Sequence, residues 1–482
     1  MNCSCPESYL KRLSRFLFSV DKNEQIKVVF LSLMFFFIIG AYSIGKALKD
    51  SVFISLVGQE YIPQAKWICI FLLIPMILLY SQLVDSVRRH QLIYIYSALY
   101  GVGFLLFAYF LGVPKIGLEN TETSPYRFLG WAFYFFIESY TPFMVSVFWA
   151  FSNSITTPDA SKKNYTLMVA GSKLGGMATT AFAWWLLANH GHVVIAQFSD
   201  IGCHQLVMII AALCVLAVSV MVYFLMQKAP KGSLHGYEAA YVAEKEIAKE
   251  HQKEHKKHGL MHVINDMVGG IKVLVKYPYV LGIFGMVFFW EIVNTILQYL
   301  RLSVGKELFG KDIAGFSAYL LQQDFYAHAV GLFFVLFGTR VLTEKLGIRY
   351  ALVAVPLITG AFAFYFISAQ TALAVSIVTI ILRSINYALA APLRESLYIP
   401  TTKDTRYKAK SWIDAFGTKI SKGTGQVYNF FTRGIASSIV FSVHFGFFLI
   451  VIAVWTFVAN GLGKRFNAAI KHNEVIGTPD QA

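Results

Sequence analysis

Several ionisable side chains stand inside long apolar runs, where a charge is costly. Lys46 and Lys49 close the first run in GKALKD, Glu138 lies within FYFFIESYTPFMVSVFWAF, and Lys173 follows AGS in the fifth run. Glu291 lies in VFFWEIVNTI, Asp324 in LLQQDFYAH, Arg383 and Arg394 flank NYALAAPL, and Lys422 lies in SKGTGQ. A charge at the centre of a bilayer costs about 2.5–3.5 kcal/mol on insertion scales, so it faces a cavity or a partner. Bases outnumber acids here, and a chamber that shared them would carry a positive potential. Phosphate groups suit such a chamber because each accepts several charge-assisted hydrogen bonds. Glu138, Glu291 and Asp324 would pair with these bases in an empty site or carry protons as coupling groups. The plain alternative for each pair is an interhelical salt bridge. Trp131, Tyr134, Tyr140, Trp149, Tyr326 and Tyr387 offer rings on which a base could stack, a contact worth about 1–3 kcal/mol in nucleic-acid proteins. Packing or a lipid-facing role is the simpler expectation for any one of them.

Other chemistry is weakly supported. GSKLGG lacks the full spacing of a phosphate loop and follows no strand, so ATP hydrolysis is not expected. His190-Gly-His192 has no evident third ligand. Cys3, Cys5, Cys69, Cys203 and Cys214 show no repeated metal spacing and read mainly as buried thiols. No nucleophile with its base stands out, so neither an enzyme nor a metal or cofactor site is expected.

The elements that must position these charges follow from composition. The 482 residues are 56% hydrophobic and 14% charged, against about 25% charged in ordinary soluble proteins. With a mean hydropathy of +0.56, this excludes a soluble domain, a disordered chain and a coiled coil, and leaves an all-α polytopic membrane protein. A spanning helix needs about 20 mostly apolar residues. Twelve such runs are read near 28–57, 65–84, 91–112, 127–155, 163–189, 203–227, 277–302, 314–341, 347–368, 371–397, 408–431 and 436–461. The eleventh is the weakest, being interrupted by Lys419, Lys422 and several glycines.

A polar break containing EKEIAKEHQKEHKKH separates six runs from six. The expected organisation is a bundle over 1–227, a charged linker over 228–276 and a second bundle over 277–482, a plan shared by many secondary transporters. Clear sequence identity between the halves is not evident. If every run spans, the N-terminus, Arg88-Arg89, Lys162-Lys163, the linker, Arg340/Lys345/Arg349, Lys403/Arg406/Lys408/Lys410 and Lys464-Arg465 share one side. The positive-inside bias places that side, with both termini, in the cytoplasm. The net charge of +15 is then membrane anchoring rather than nucleic-acid binding. No A-x-A-like site follows the first run, so no cleaved signal is expected.

Particular stretches carry a resemblance. ALKDSVFIS with IPQAKW, FYFFIESYTPFMVSVFWAFSNSIT with SKKNY, FFWEIVNTILQYL, NYALAAPLRESLYIP and TRYKAKSWIDAFGTKISKGTGQ are similar to segments of the ATP/ADP translocases of obligate intracellular bacteria and plastids. The resemblance implies a fold related to the major facilitators, about 12 helices in two six-helix bundles, and exchange of ATP for ADP by alternating access. It places the family's transport-associated charge set on Lys49, Glu138, Glu291 and Arg394, and further bases on Arg383 and Lys422. Lys46 and Lys173 complete the expected substrate-binding set, and Asp324 joins Glu138 and Glu291 as a coupling candidate.

The chain departs from the family where substrate and coupling would be set. Arg394 stands where lysine is usual, Lys173 and Gln322 where asparagine is, Asn386 for a lysine and Asp324 for a small polar residue. The Gly-Ser-Gly insertion after Lys49 is missing. Proton-coupled net import of nucleotides (ATP, GTP, UTP or CTP) and NAD/ADP exchange therefore stay open, with a non-transporting receptor or scaffold as the remote alternative. The implied setting is the inner membrane of a bacterium with an intracellular life. A monomer is expected, whose partners are a nucleotide, the bilayer and, in the symport reading, protons.

Overall fold

The computed structural model describes residues 22–155, 158–189, 199–228, 274, 276–334, 339–369, 371–402, 409–410, 412–435, 437–472 and 474–476. Almost all of the expected linker lies outside the described residues, as do Cys3, Cys5, His190 and His192. Without water, backbone polar groups must be satisfied within each segment, so apolar runs of this length become helices. In the first half they are α1 (Lys22–Leu56), α2 (Ile62–Ser86), α3 (Arg89–Leu111), α4 (128–155), α5 (Pro158–Ala188) and α6 (Asp200–Lys228). In the second half they are α7 (Pro278–Phe309), α8 (Ile313–Phe333), α9 (Thr339–Ala369), α10 (372–397), α11 (413–432) and α12 (Ser437–Lys471).

Length and composition alone qualify seven of these, α1, α2, α3, α6, α7, α9 and α12, as membrane spans among the described residues. The other five carry Glu138, Lys173, Asp324, Arg383, Arg394 and Lys422. Their departure from a plain span has two causes. Wide, π-type turns break α4 at Thr141–Val145, α10 at Asn386–Ala390 and α11 at Ile413–Gly417. In α5 and α8, polar residues such as Lys173, Gln322, Gln323, Asp324 and His328 dilute the apolar character. Several expected boundaries shift outward: α1 begins at Lys22, α5 at Pro158 and α9 at Thr339, while α7 continues to Phe309 and α12 to Lys471.

An internal repeat that the residues hide is plain in the packing. In the first half α1 packs on α5 and α6, and α3 on α6; in the second, α7 packs on α11 and α12, and α9 on α12. Adding six to each helix number converts one set into the other. The same operation relates two of the contacts between halves, α5 with α8 and α2 with α11; α1 also packs on α8. The wide turns of α4 and α10 also obey it. Each is accompanied by a proline, Pro142 inside the first and Pro392 just beyond the second. Proline lacks an N–H and crowds the carbonyl four residues back, so an expanded turn accommodates it.

The α1–α5 contact rests on small residues. A Cβ on Gly171 would stand 2.7 Å from the Ser32 carbonyl oxygen, and one on Gly175 would stand 2.1 Å from that of Phe36. One turn on, Thr179 Oγ1 donates to the Gly40 carbonyl at 3.0 Å. Positions 171, 175 and 179 thus face 32, 36 and 40, a small-residue ladder that lets two backbones approach closely. GSKLGG is therefore a packing motif, in accord with the expectation against a phosphate loop.

Polar contacts cross between halves at the end of the molecule where α1 finishes. Ser51 and Ser317 share a hydrogen bond of 2.7 Å, and His204 Nε2 lies 3.1 Å from the same Ser317 hydroxyl. Gln59 donates to Ser303, and Arg433 donates to the Glu60 carbonyl at 2.7 Å.

A candidate anion-binding chamber

Two charged clusters lie deep between the halves. The first is built on Glu138, which α4 presents in its last regular turn before the wide one. Its Oε1 accepts from Lys49 Nζ of α1 at 2.9 Å and from Lys66 Nζ of α2 at 2.5 Å. Lys49 also donates to Asp50 Oδ1 at 2.7 Å, and its ammonium sits 4.0 Å from the centre of the buried Tyr134 ring. A cation over an aromatic face, away from water, gains about 2 kcal/mol or more. Two bases therefore meet two carboxylates, and this cluster is balanced within itself. Lys419 of α11 lies within electrostatic reach of Glu138 and Lys66.

The second cluster is unbalanced. Asp324 of α8 is 3% exposed, and its Oδ1 accepts from Arg383 Nη1 of α10 and, at 3.5 Å, from Arg301 Nη2 of α7. Arg301 also donates to Gln323, to Gln298 at 3.1 Å and to the Leu320 carbonyl at 3.3 Å. Gln323 in turn donates to Ser376 of α10 at 2.9 Å, so three helices fix one guanidinium. From the first half, Lys46 of α1 faces Asp324, Arg383 and Arg301 within electrostatic reach. It makes no hydrogen bond or ion pair among the described residues. Lys173 of α5 is buried and lies beside Gly331 of α8, on the opposite side of its helix from the Gly171–Gly175 ladder.

His328 stands one turn from Asp324, 2.9 Å from Ser43 Oγ of α1, and in electrostatic reach of Lys173, Asp324, Arg383 and Lys46. Lys46, Arg301 and Arg383 thus face Asp324, and Lys173 adds a fourth base near His328. Asp50 lies within reach of both Lys46 and Arg301 and connects the two clusters.

The remaining expected residues fall elsewhere. Glu291 of α7 is 14% exposed and its nearest base is Lys422 at 3.8 Å; Glu291 Oε2 has no hydrogen-bond partner among the described residues. Arg394 belongs to neither cluster. It lies about 16 Å beyond Arg383 along α10 at 1.5 Å per residue. There it lines a small cavity inside the second half with Asn386, Trp290 and Trp455. It is in electrostatic reach of Asp414 and Tyr398.

Most of the aromatic candidates are packed. Trp131 stands edge-on to Phe53 and donates to the Pro125 carbonyl at 2.9 Å. Tyr140 is buried and donates to the Ile38 carbonyl at 3.0 Å. Trp149 packs on Phe35 and Phe148. Tyr326, 42% exposed, stands near Trp184, and the side chain of Tyr387 is outside the description.

Lys66, Arg301 and His328 were not singled out by sequence reasoning. Lys66 and Arg301 stand at the margins of the second and seventh apolar runs, where a long base ordinarily snorkels to the interface. The helices extend past both, which draws them inside. His328 had a usable signal: four residues after Asp324, it must share that face of a helix.

With bases outnumbering carboxylates, the described residues form an arrangement chemically suited to a polyanion. The sequence matches the profile of the family described as TLC ATP/ADP transporter over residues 4–122 and 126–466. It is 23% identical to ADP,ATP carrier protein 1 of Rickettsia prowazekii, covering 98% of this chain and 100% of that one. It is 24% identical to the chloroplastic ADP,ATP carrier protein 1 of Arabidopsis thaliana, covering 95% and 77% respectively. In fold it is similar to the inward-open conformation of XylE from E. coli, a major facilitator superfamily proton:xylose symporter. That likeness has a TM-score of 0.56 at 14% identity over 89% of this chain and 94% of that one.

Proposed function

The chain belongs to the ATP/ADP transporter family, a family of carriers rather than enzymes, and from that premise we propose that it exchanges nucleotides, ATP against ADP, across a bacterial inner membrane. The observation that carries this reading is the unbalanced cluster, in which Lys46, Arg301 and Arg383 surround Asp324, Lys173 stands near His328, and Asp50 is the other carboxylate in reach. The phosphate chain settles among those four bases, because bases outnumber carboxylates there. Lys49 stays with Glu138 and steers the polyphosphate from the side, and Glu138 and Glu291 are placed to meet ribose or base. The positive-inside bias orients both termini to the cytoplasm.

Exchange follows if the surplus of like charges makes reorientation of the empty carrier unfavourable and a bound polyanion relieves it. What matters is differential stabilisation of the reorienting state, not tight binding by itself. Reconstituted liposomes test this: labelled ATP enters vesicles loaded with ADP and fails to accumulate in empty ones. Equal uptake into loaded and empty vesicles contradicts exchange. A second reading, proton-coupled net import, is favoured by Glu291 Oε2, a buried carboxylate oxygen without a hydrogen bond among the described residues. It requires uptake into empty vesicles driven by an imposed pH gradient.

A further inference from the structure

We propose that Asp324 is a resident counter-anion: it occupies Arg301 and Arg383 in the substrate-free chamber, competes with an incoming phosphate for them, and so sets how much negative charge the chamber accepts. The inference deepens the nucleotide reading and rests on it for the identity of the cargo. Its physical content holds for any phosphate-bearing ligand.

The geometry supports it in three ways. Both guanidiniums converge on a single oxygen, Asp324 Oδ1, as they would on one phosphate oxygen. Carboxylate and phosphate oxygens both accept charge-assisted N–H bonds from arginine, so one can take the other's place on the same guanidiniums. The clamp is also internal to the second half, since α7, α8 and α10 supply its three members and the Gln323–Ser376 bond ties two of those helices. The guanidiniums are therefore held in place before a ligand arrives. Lys46, which contributes no ion pair to the clamp, faces it from the other half, where a phosphate bound to Arg301 and Arg383 would gain a third base.

The sign of the effect follows from Coulomb's law. A fixed negative charge beside a bound anion is repulsive, and the repulsion grows with the ligand's charge. Removing it strengthens binding in the order phosphate, pyrophosphate, tripolyphosphate.

The test uses the full-length protein in nanodiscs and titrates those three inorganic anions. In Asp324→Asn, pyrophosphate affinity rises about tenfold, equivalent to about 1.4 kcal/mol, and the gain is smaller for phosphate and larger for tripolyphosphate. The charge-conserving double variant Arg301→Gln/Asp324→Asn stays near the wild-type affinity, and it decides the matter should the single variant fail to fold. Unchanged or weakened binding in a folded Asp324→Asn overturns the proposal. So does a double variant whose affinity falls as far as that of Arg301→Gln alone. If pyrophosphate responds as described while ATP and ADP do not displace it, the counter-anion stands and the nucleotide reading falls. If nucleotides exchange but the three anions bind every variant equally, the nucleotide reading stands and the counter-anion falls.

Discussion

Glu138 shows how much one carboxylate organises. Lys49 and Lys66 come from different helices and both donate to its Oε1, at 2.9 and 2.5 Å. Glu138→Gln leaves two ammonium groups sharing a neutral amide, with Asp50 as the remaining anion. A buried group stripped of its partner costs about 1–3 kcal/mol, and the partial exposure of Lys66 and Glu138 keeps the effect at the lower end. Thermal unfolding in detergent should show a lowered midpoint for Glu138→Gln; an unchanged midpoint would mean the three residues are not coupled. At this scale the sequence was informative about which residues matter, because charge inside an apolar run is expensive wherever it sits. It could not say which residues meet. Pairing depends on helix rotation and depth, which is why Arg394, expected in one substrate-binding set with Lys49, lines another cavity, and why Arg301 stayed hidden at a misplaced helix end.

At the scale of elements, helix α5 performs two tasks on two faces. Gly171, Gly175 and Thr179 dock it on α1, and that docking turns Lys173 toward α8. Gly175→Ala places a methyl group 2.1 Å from a backbone oxygen that cannot swing aside, so the helices must separate. Overpacking of this kind costs about 1–3 kcal/mol. A drop in melting temperature is expected for Gly175→Ala but not for Gly446→Ala, where nothing lies within 4 Å of the added carbon. Equal melting of the two variants would rule out the ladder. The spans themselves were legible from hydropathy, since length and apolar content are properties of one segment. The wide turns of α4, α10 and α11 were not, because an extra residue in a turn leaves hydropathy unchanged.

For the whole molecule, the relation between halves is a matter of packing rather than of residue identity. Helices α1, α5 and α6 are repeated by α7, α11 and α12 with little sequence in common, because the constraint is shape, which many side chains satisfy. The Ser51–Ser317–His204 group ties the halves together at the end where α1 finishes, and the charged clusters lie deeper between them. The account rests on a phosphate chain lodging in the unbalanced cluster. The most direct measurement is a cryo-electron microscopy map of the protein with ADP in nanodiscs. The account predicts diphosphate density bounded by Lys46, Lys173, Arg301 and Arg383, with contributions from both halves. Diphosphate density confined to the Arg394 cavity, or to the Lys49–Glu138 cluster alone, would contradict it.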